Sequence, residues 1–140
     1  MKPIYILIAI IATGLLSSGF FCNSVSQSGK MGDQFYSLLQ KNDFNSIIKM
    51  LDEDALNEYS QKEWLELFAS RNKYLGELKS YKTTGFHKNT TSGLQITKLN
   101  YEVHNLNGIV YEEIEFIKRG NDYKILNYQF APDLAQLSDD

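Results

Sequence analysis

Cysteine is almost missing from this chain. A single one, Cys22, occurs among 140 residues, so no intrachain disulfide can form and no cysteine-based metal site can be built. The core alone must hold the fold, and the length suits one domain that can bury such a core. Histidine is nearly as scarce. His87 and His104 have no nearby acid at metal-ligand spacing and no third ligand beside them, so they read as surface residues near strand ends rather than zinc or iron ligands. Basic stripes are lacking too. The net charge is -3 with acids and bases interspersed, which argues against a surface that collects nucleic-acid phosphates. No Gly-x-Ser-x-Gly elbow, phosphate loop or dinucleotide fingerprint occurs. No metal and no cofactor are expected.

The one long apolar run is at the start. Lys2 gives a positive end, Ile4 to Leu16 is apolar, and Ser17, Ser18 and Gly19 are small, the layout of a secretory signal. Three fates follow from it. Cleavage after Gly19 would use Ser17 and Gly19 as the small residues. Lipidation would fall on Cys22, which sits where a bacterial lipoprotein carries its acylated cysteine, although Phe20 and Phe21 precede it in place of a small residue. Retention as an anchor would use Ile4 to Phe21, about 18 residues, near the lower limit for spanning a bilayer. Each fate gives an exported protein, either secreted or held in the cell envelope, periplasmic or anchored at the inner or outer membrane. Residues 1–22 are thus read as the leader.

Residues 23–32 are polar and rich in Ser, Gln and Gly, and read as a flexible spacer. The folded domain is expected over 33–132 and a polar tail over 133–140. Asp33 could cap a first helix with the apolar stripe Phe35, Leu38, Leu39. Asn42-Asp43 interrupts it, and Phe44, Ile47, Ile48 and Leu51 repeat the spacing in a second. Ser60-Gln-Lys-Glu63 has the spacing of a capping box, Trp64, Leu65, Leu67 and Phe68 follow, and Gly76 stands where a helix stops. From Glu77 the period changes to that of strands. Leu78 to His87 is a first strand and Lys88 to Gly93 a turn. Three tyrosine-rich and β-branched runs between Leu94 and Phe130 follow, broken at Asn105–Gly108 and at Gly120-Asn121. Helices first and strands afterwards predict an α+β fold, three helices on one face of a four-stranded antiparallel sheet. On the third strand, alternation sends Glu113 and Glu115 to solvent and leaves Glu112 among Val110, Ile114 and Phe116. On the last, a bulge near Asn127 would bring its aromatic and apolar residues onto one face.

In this order the elements look like the nuclear transport factor 2-like superfamily, whose small domains curve a sheet around a helix into a cone. Trp64…Arg71…Leu75-Gly76…Ser80 resembles the bacterial family called domain of unknown function 4019 and its relatives. Gly120-Asn-Asp-Tyr-Lys-Ile-Leu-Asn-Tyr128 is similar to the superfamily's closing strand, with Tyr123 in place of the more usual Trp. The resemblance spans Asp33 to Pro132 and implies a pocket at the cone's open end without saying how it is used.

Enzymes of that superfamily keep an acid or a His/Asp pair inside the pocket, and Glu112 is the acid that alternation puts on an apolar face. Buried, it would have a raised pKa, as a general base needs; salt-bridged, it would be structural. Tyr101, Glu112 and Tyr128 are the candidate ligand-site residues. Tyr101, Tyr111, Tyr123 and Tyr128 are equally good strand and core residues. The reading is an exported domain that binds a small apolar ligand or a protein partner without catalysis. The outer sheet face carrying Tyr111 would serve a partner or pair two copies into a homodimer, and the membrane would be met only through the leader or lipid. Two alternatives stand beside it: an isomerase, dehydratase or hydrolase using Glu112, and an inhibitor or immunity-type protein of the envelope.

Overall fold

The computed structural model describes residues 27–132. The leader with Cys22 and the 133–140 tail lie outside the described residues. Among the described residues four helices precede four strands: α1 Gln27–Gln40, α2 Phe44–Ile48, α3 Glu53–Glu58, α4 Gln61–Leu75, then β1 Leu78–Thr91, β2 Leu94–Asn105, β3 Gly108–Arg119 and β4 Asp122–Ala131. The strands form one antiparallel meander in the order β1-β2-β3-β4, and the helices cover one face of it. Among the described residues no helix is long and apolar enough to cross a membrane.

The start and stop of α4 follow the sequence signals. The Ser60 Oγ accepts from Glu63 N at 3.3 Å while Glu63 Oε2 accepts from Ser60 N at 2.7 Å, so two orphan amides are satisfied reciprocally. At the other end Gly76 takes φ 75°, a conformation that glycine adopts at least cost. The buried stripe of the helix is Trp64, Phe68, Arg71 and Leu75.

Elsewhere the elements depart from expectation. The first helix starts at Gln27, so the second half of the 23–32 spacer is helical and the folded domain reaches back beyond Asp33. Asp33 does not cap it; it lies inside α1 and accepts from the Tyr81 hydroxyl at 2.9 Å. Packing explains the helix that composition argued against. Ser28, Gly29 and Gly32 are buried, and small residues there let the helix lie directly on the sheet. A Cβ on Gly32 would fall 2.0 Å from the Tyr101 hydroxyl.

Helix α3 is a fourth helix that the sequence pattern does not announce. Asp52 organises it: its Oδ1 accepts from Asp54 N at 3.2 Å as the N-cap, and its carboxylate takes Arg119 Nη2 and Nε at 2.9 and 3.1 Å. Its backbone amide donates to Ile125 O at 2.7 Å, next to Ile125 N donating to Met50 O at 2.8 Å. The stretch between α2 and α3 thereby covers part of the free edge of β4.

The first hairpin is longer than expected. β1 continues through Thr91 and the turn is Ser92-Gly93 alone, both with positive φ, 52° and 79°, as a two-residue type I′ hairpin requires. In β4 the bulge is present: Glu115 pairs with Asn127 and Phe116 with Ile125, leaving Leu126 unpaired. Ile125 and Tyr128 are therefore both buried on the helix-facing side, with Tyr123 and Phe130 packed partly against them. Glu113 corrects the alternation reading. It does face away from the helices, yet it is buried, held by Lys98 Nζ at 3.0 Å and Gln129 Nε2 at 2.9 Å; long polar neighbours cover it.

Candidate functional site

A polar cluster lies in the middle of the apolar core, where the helices meet the sheet. Its centre is Glu112 on β3, with no exposed surface, and Arg71 on α4, almost as deep. Arg71 Nε donates to Glu112 Oε1 at 2.7 Å, and Nη2 makes a second, very short bond to the same oxygen. Glu112 Oε2 accepts from the Tyr36 hydroxyl of α1 at 2.9 Å. Arg71 Nε also reaches the Tyr128 hydroxyl of β4 at 2.9 Å, Nη2 reaches Asn105 Oδ1 of β2 at 3.2 Å, and Nη1 reaches Asn72 Oδ1 at 2.9 Å. One buried network thus ties both long helices to three of the four strands.

The electrostatics follow from burial. Desolvation pushes the Glu112 carboxyl above its ordinary value, against the opposing pull of Arg71 and of the Tyr36 and Tyr128 hydroxyls. Burial tends to lower the Arg71 guanidinium, but Tyr128 and Glu112 beside it hold it above its usual value. Burial first, and Glu112 second, raise the hydroxyls of Tyr36 and Tyr128 well above the tyrosine range. Both tyrosines therefore stay neutral at physiological pH, and Tyr36 remains a donor. In this arrangement both oxygens of Glu112 are already engaged as acceptors.

The three expected site residues share the helix-facing side of the sheet but do different things. Tyr101 stands across the β2–β3 ladder from Glu112, is buried, and its hydroxyl has no hydrogen-bond partner among the described residues. It packs edge-on against Tyr36, ring centroids 4.9 Å apart. Tyr128 joins the Arg71 network on one side and opens onto a groove on the other. That groove, about 540 Å³, is lined by Tyr59, Trp64, Leu67 and Tyr128, with Glu58 and Glu63 also along its wall. Tyr59 meets Trp64 edge-on at 5.8 Å and is 48% exposed, while the indole Nε1 is spent on Ala55 O at 3.0 Å. His104 Nε2 is 2.8 Å from Glu102 Oε1, and His87 is exposed on β1.

Arg71 stands in the sequence within the Trp64…Leu75-Gly76 motif without an assigned role, and nothing in the pattern singles out Tyr36. The signal was available for Arg71: it is seven residues after Trp64 and four before Leu75, which puts a cation on the buried stripe of an amphipathic helix. A buried cation calls for a buried acid, and Glu112 was the acid on an apolar strand face.

No protein-family model matches the sequence, and no curated protein matches it, so the resemblance to the domain of unknown function 4019 family is not carried further. Among solved structures the chain is similar to one from Campylobacter jejuni described as a "Putative NTF2-like transpeptidase". The likeness has a TM-score of 0.54 at 15% identity and covers 73% of this chain and 99% of that one. At that identity the likeness is one of fold, and the activity in the description stays with that protein. A helix layer on an antiparallel meander with a bulged closing strand, together with that likeness, gives this chain the nuclear transport factor 2-like (NTF2-like) fold.

Proposed function

We propose that the chain is an exported binding domain without catalysis, held at the cell envelope by its apolar N-terminal run or by lipid on Cys22. Its ligand is a small apolar molecule seated in the groove of Tyr59, Trp64, Leu67 and Tyr128. One observation carries the reading. The acid best placed to act as a base, Glu112, is fully buried with its oxygens bonded to Arg71 and Tyr36, whereas the aromatic groove beside it is open. An isomerase, dehydratase or hydrolase built on Glu112 would need that pair opened and a path to it. The acids along the groove favour a neutral or cationic molecule over an anion.

The chain's one tryptophan, Trp64, reports on the groove directly. Titration with the neutral probe N-phenyl-1-naphthylamine should quench Trp64 saturably, and Leu67→Glu should abolish the quench with the far-ultraviolet spectrum unchanged. A linear, unsaturable response in the parent protein would sink the ligand assignment.

A protein partner, including an inhibitor or immunity-type role, is the second reading, favoured by the opposite end of the domain. Tyr74, Leu106 and Ile109 are 78%, 64% and 50% exposed around the junction where Asn107 Nδ2 bonds Tyr74 O at 3.1 Å. A photo-crosslinker at Leu106 should capture one stoichiometric partner on this reading, and none on the first.

A further inference from the structure

Three lysines from separate parts of the fold line a single hollow. Lys30 of α1, Lys49 just after α2 and Lys124 of β4 border a depression of about 710 Å³ whose only acid among the described residues is Asp122. Lys124 Nζ donates to the backbone Lys49 O at 3.1 Å, which fixes one ammonium against the backbone of the second lysine. Met31, Met50 and Tyr123 add apolar surface to the hollow. In a chain of net charge -3, this is a local concentration of positive charge, and such a concavity attracts anions.

The position of the hollow says which anion. Gln27 belongs to the same lining and directly follows the N-terminal stretch with the apolar run Ile4 to Phe21. Only Cys22 to Ser26 separates that run from α1, a reach of at most about 18 Å when fully extended. A bilayer holding the run, or an acyl chain on Cys22, therefore draws this end of the domain toward its surface.

We propose that the hollow of Lys30, Lys49 and Lys124 is the face on which the domain docks to the membrane, its lysines taking the phosphates of anionic phospholipid headgroups. The proposal rests on the envelope-tethered reading above and adds an orientation to it. Each lysine near an anionic surface strengthens attraction about 5-fold, so the three together give about 100-fold, and salt weakens it.

The test uses the full chain with vesicles of phosphatidylcholine alone, or with one third phosphatidylglycerol, and a membrane-impermeant amine reagent read by mass spectrometry at each lysine. Lys73 near the end of α4 and Lys79 near the start of β1 are internal references. On anionic vesicles Lys30, Lys49 and Lys124 should label at least 5-fold less than the references, and 0.5 M salt should remove the difference. Phosphatidylcholine vesicles should show none. Even labelling on both vesicles, with the protein floating on both, overturns the docking face and leaves the tether standing. Protein that floats with neither overturns tether and docking together. Protection by millimolar inorganic phosphate on phosphatidylcholine vesicles, unchanged by anionic lipid, would make the hollow a free-anion site and overturn the membrane assignment.

Discussion

Substituting Glu112→Gln isolates the charge of the buried pair. Glutamine is nearly isosteric, and its carbonyl can still accept from Arg71 Nε and Nη2 while its amide donates to the Tyr36 hydroxyl, turned to accept. The hydrogen bonds can survive; the negative charge cannot. Arg71, 1% exposed, would then be a guanidinium in the core with only neutral acceptors, namely the new amide carbonyl, Tyr128, Asn105 and Asn72. Removing one partner of a buried pair costs about 3–5 kcal/mol, a large share of the ~5–15 kcal/mol that stabilises a typical domain. At about 4 °C per kcal/mol for a domain of this size, the melting midpoint should fall by roughly 12–20 °C. Arg71→Met should cost a similar amount by stranding the carboxylate. The double variant Arg71→Met/Glu112→Leu should lose less than the sum of the two, because no lone charge remains, although the Tyr36 hydroxyl and Asn105 Oδ1 would lose the partners they have in the parent. Urea unfolding followed by Trp64 emission and circular dichroism measures all three. A Glu112→Gln variant within about 0.5 kcal/mol of the parent, the range of ordinary surface changes, would refute the reasoning.

Gly32→Ala should destabilise by about 1–3 kcal/mol through overpacking, since the new Cβ would meet the Tyr101 hydroxyl at 2.0 Å; thermal melts measure it. Tyr101→Phe removes a buried hydroxyl without a partner and should be neutral or stabilising by about 1 kcal/mol. Combined with Gly32→Ala it should relieve part of the clash, the ring carbon at 3.1 Å remaining tight. The Asp52 carboxyl is held below its ordinary 3.8, chiefly by the Arg119 hydrogen bond. A group with a depressed folded pKa contributes stability above its unfolded value and loses it as pH falls through the folded one. Acid titration should therefore show a loss below about pH 4 that Asp52→Asn flattens, by comparison of unfolding free energies at pH 7 and pH 3. Ser60→Ala removes the oxygen that accepts from Glu63 N and should cost about 1 kcal/mol in urea unfolding.

The architecture was legible where local chemistry and packing agree. Ser60, Glu63 and Gly76 mark the ends of α4 because capping is decided by residues within one turn of each other. The β4 bulge could be inferred because Tyr123, Ile125, Tyr128 and Phe130 cannot share a face otherwise. What was missed depends on distant partners. The first turns of α1 contain serine and glycine, poor helix formers, and become helical because Gly32 must pass close to Tyr101. Lys88 to Thr91 has turn chemistry, yet each residue is paired in the ladder with β2. Glu113 alternates to the outer face as expected, but only Lys98 and Gln129, from neighbouring strands, decide that it is covered. The candidate site shows the same division: Glu112 was visible as an acid on an apolar face, whereas its role depends on Arg71, 41 residues earlier.

Whether Glu112 belongs to the scaffold or to the ligand site is the central question. The direct measurement is the Trp64 titration with N-phenyl-1-naphthylamine on the parent and on Glu112→Gln, at a low temperature where circular dichroism shows both to be folded. Saturable curves with affinities within about twofold of each other are the predicted result, with the stability of the variant lowered all the same. Loss of saturable binding in a folded Glu112→Gln protein, or a change of tenfold or more, would place Glu112 in the site and contradict the account.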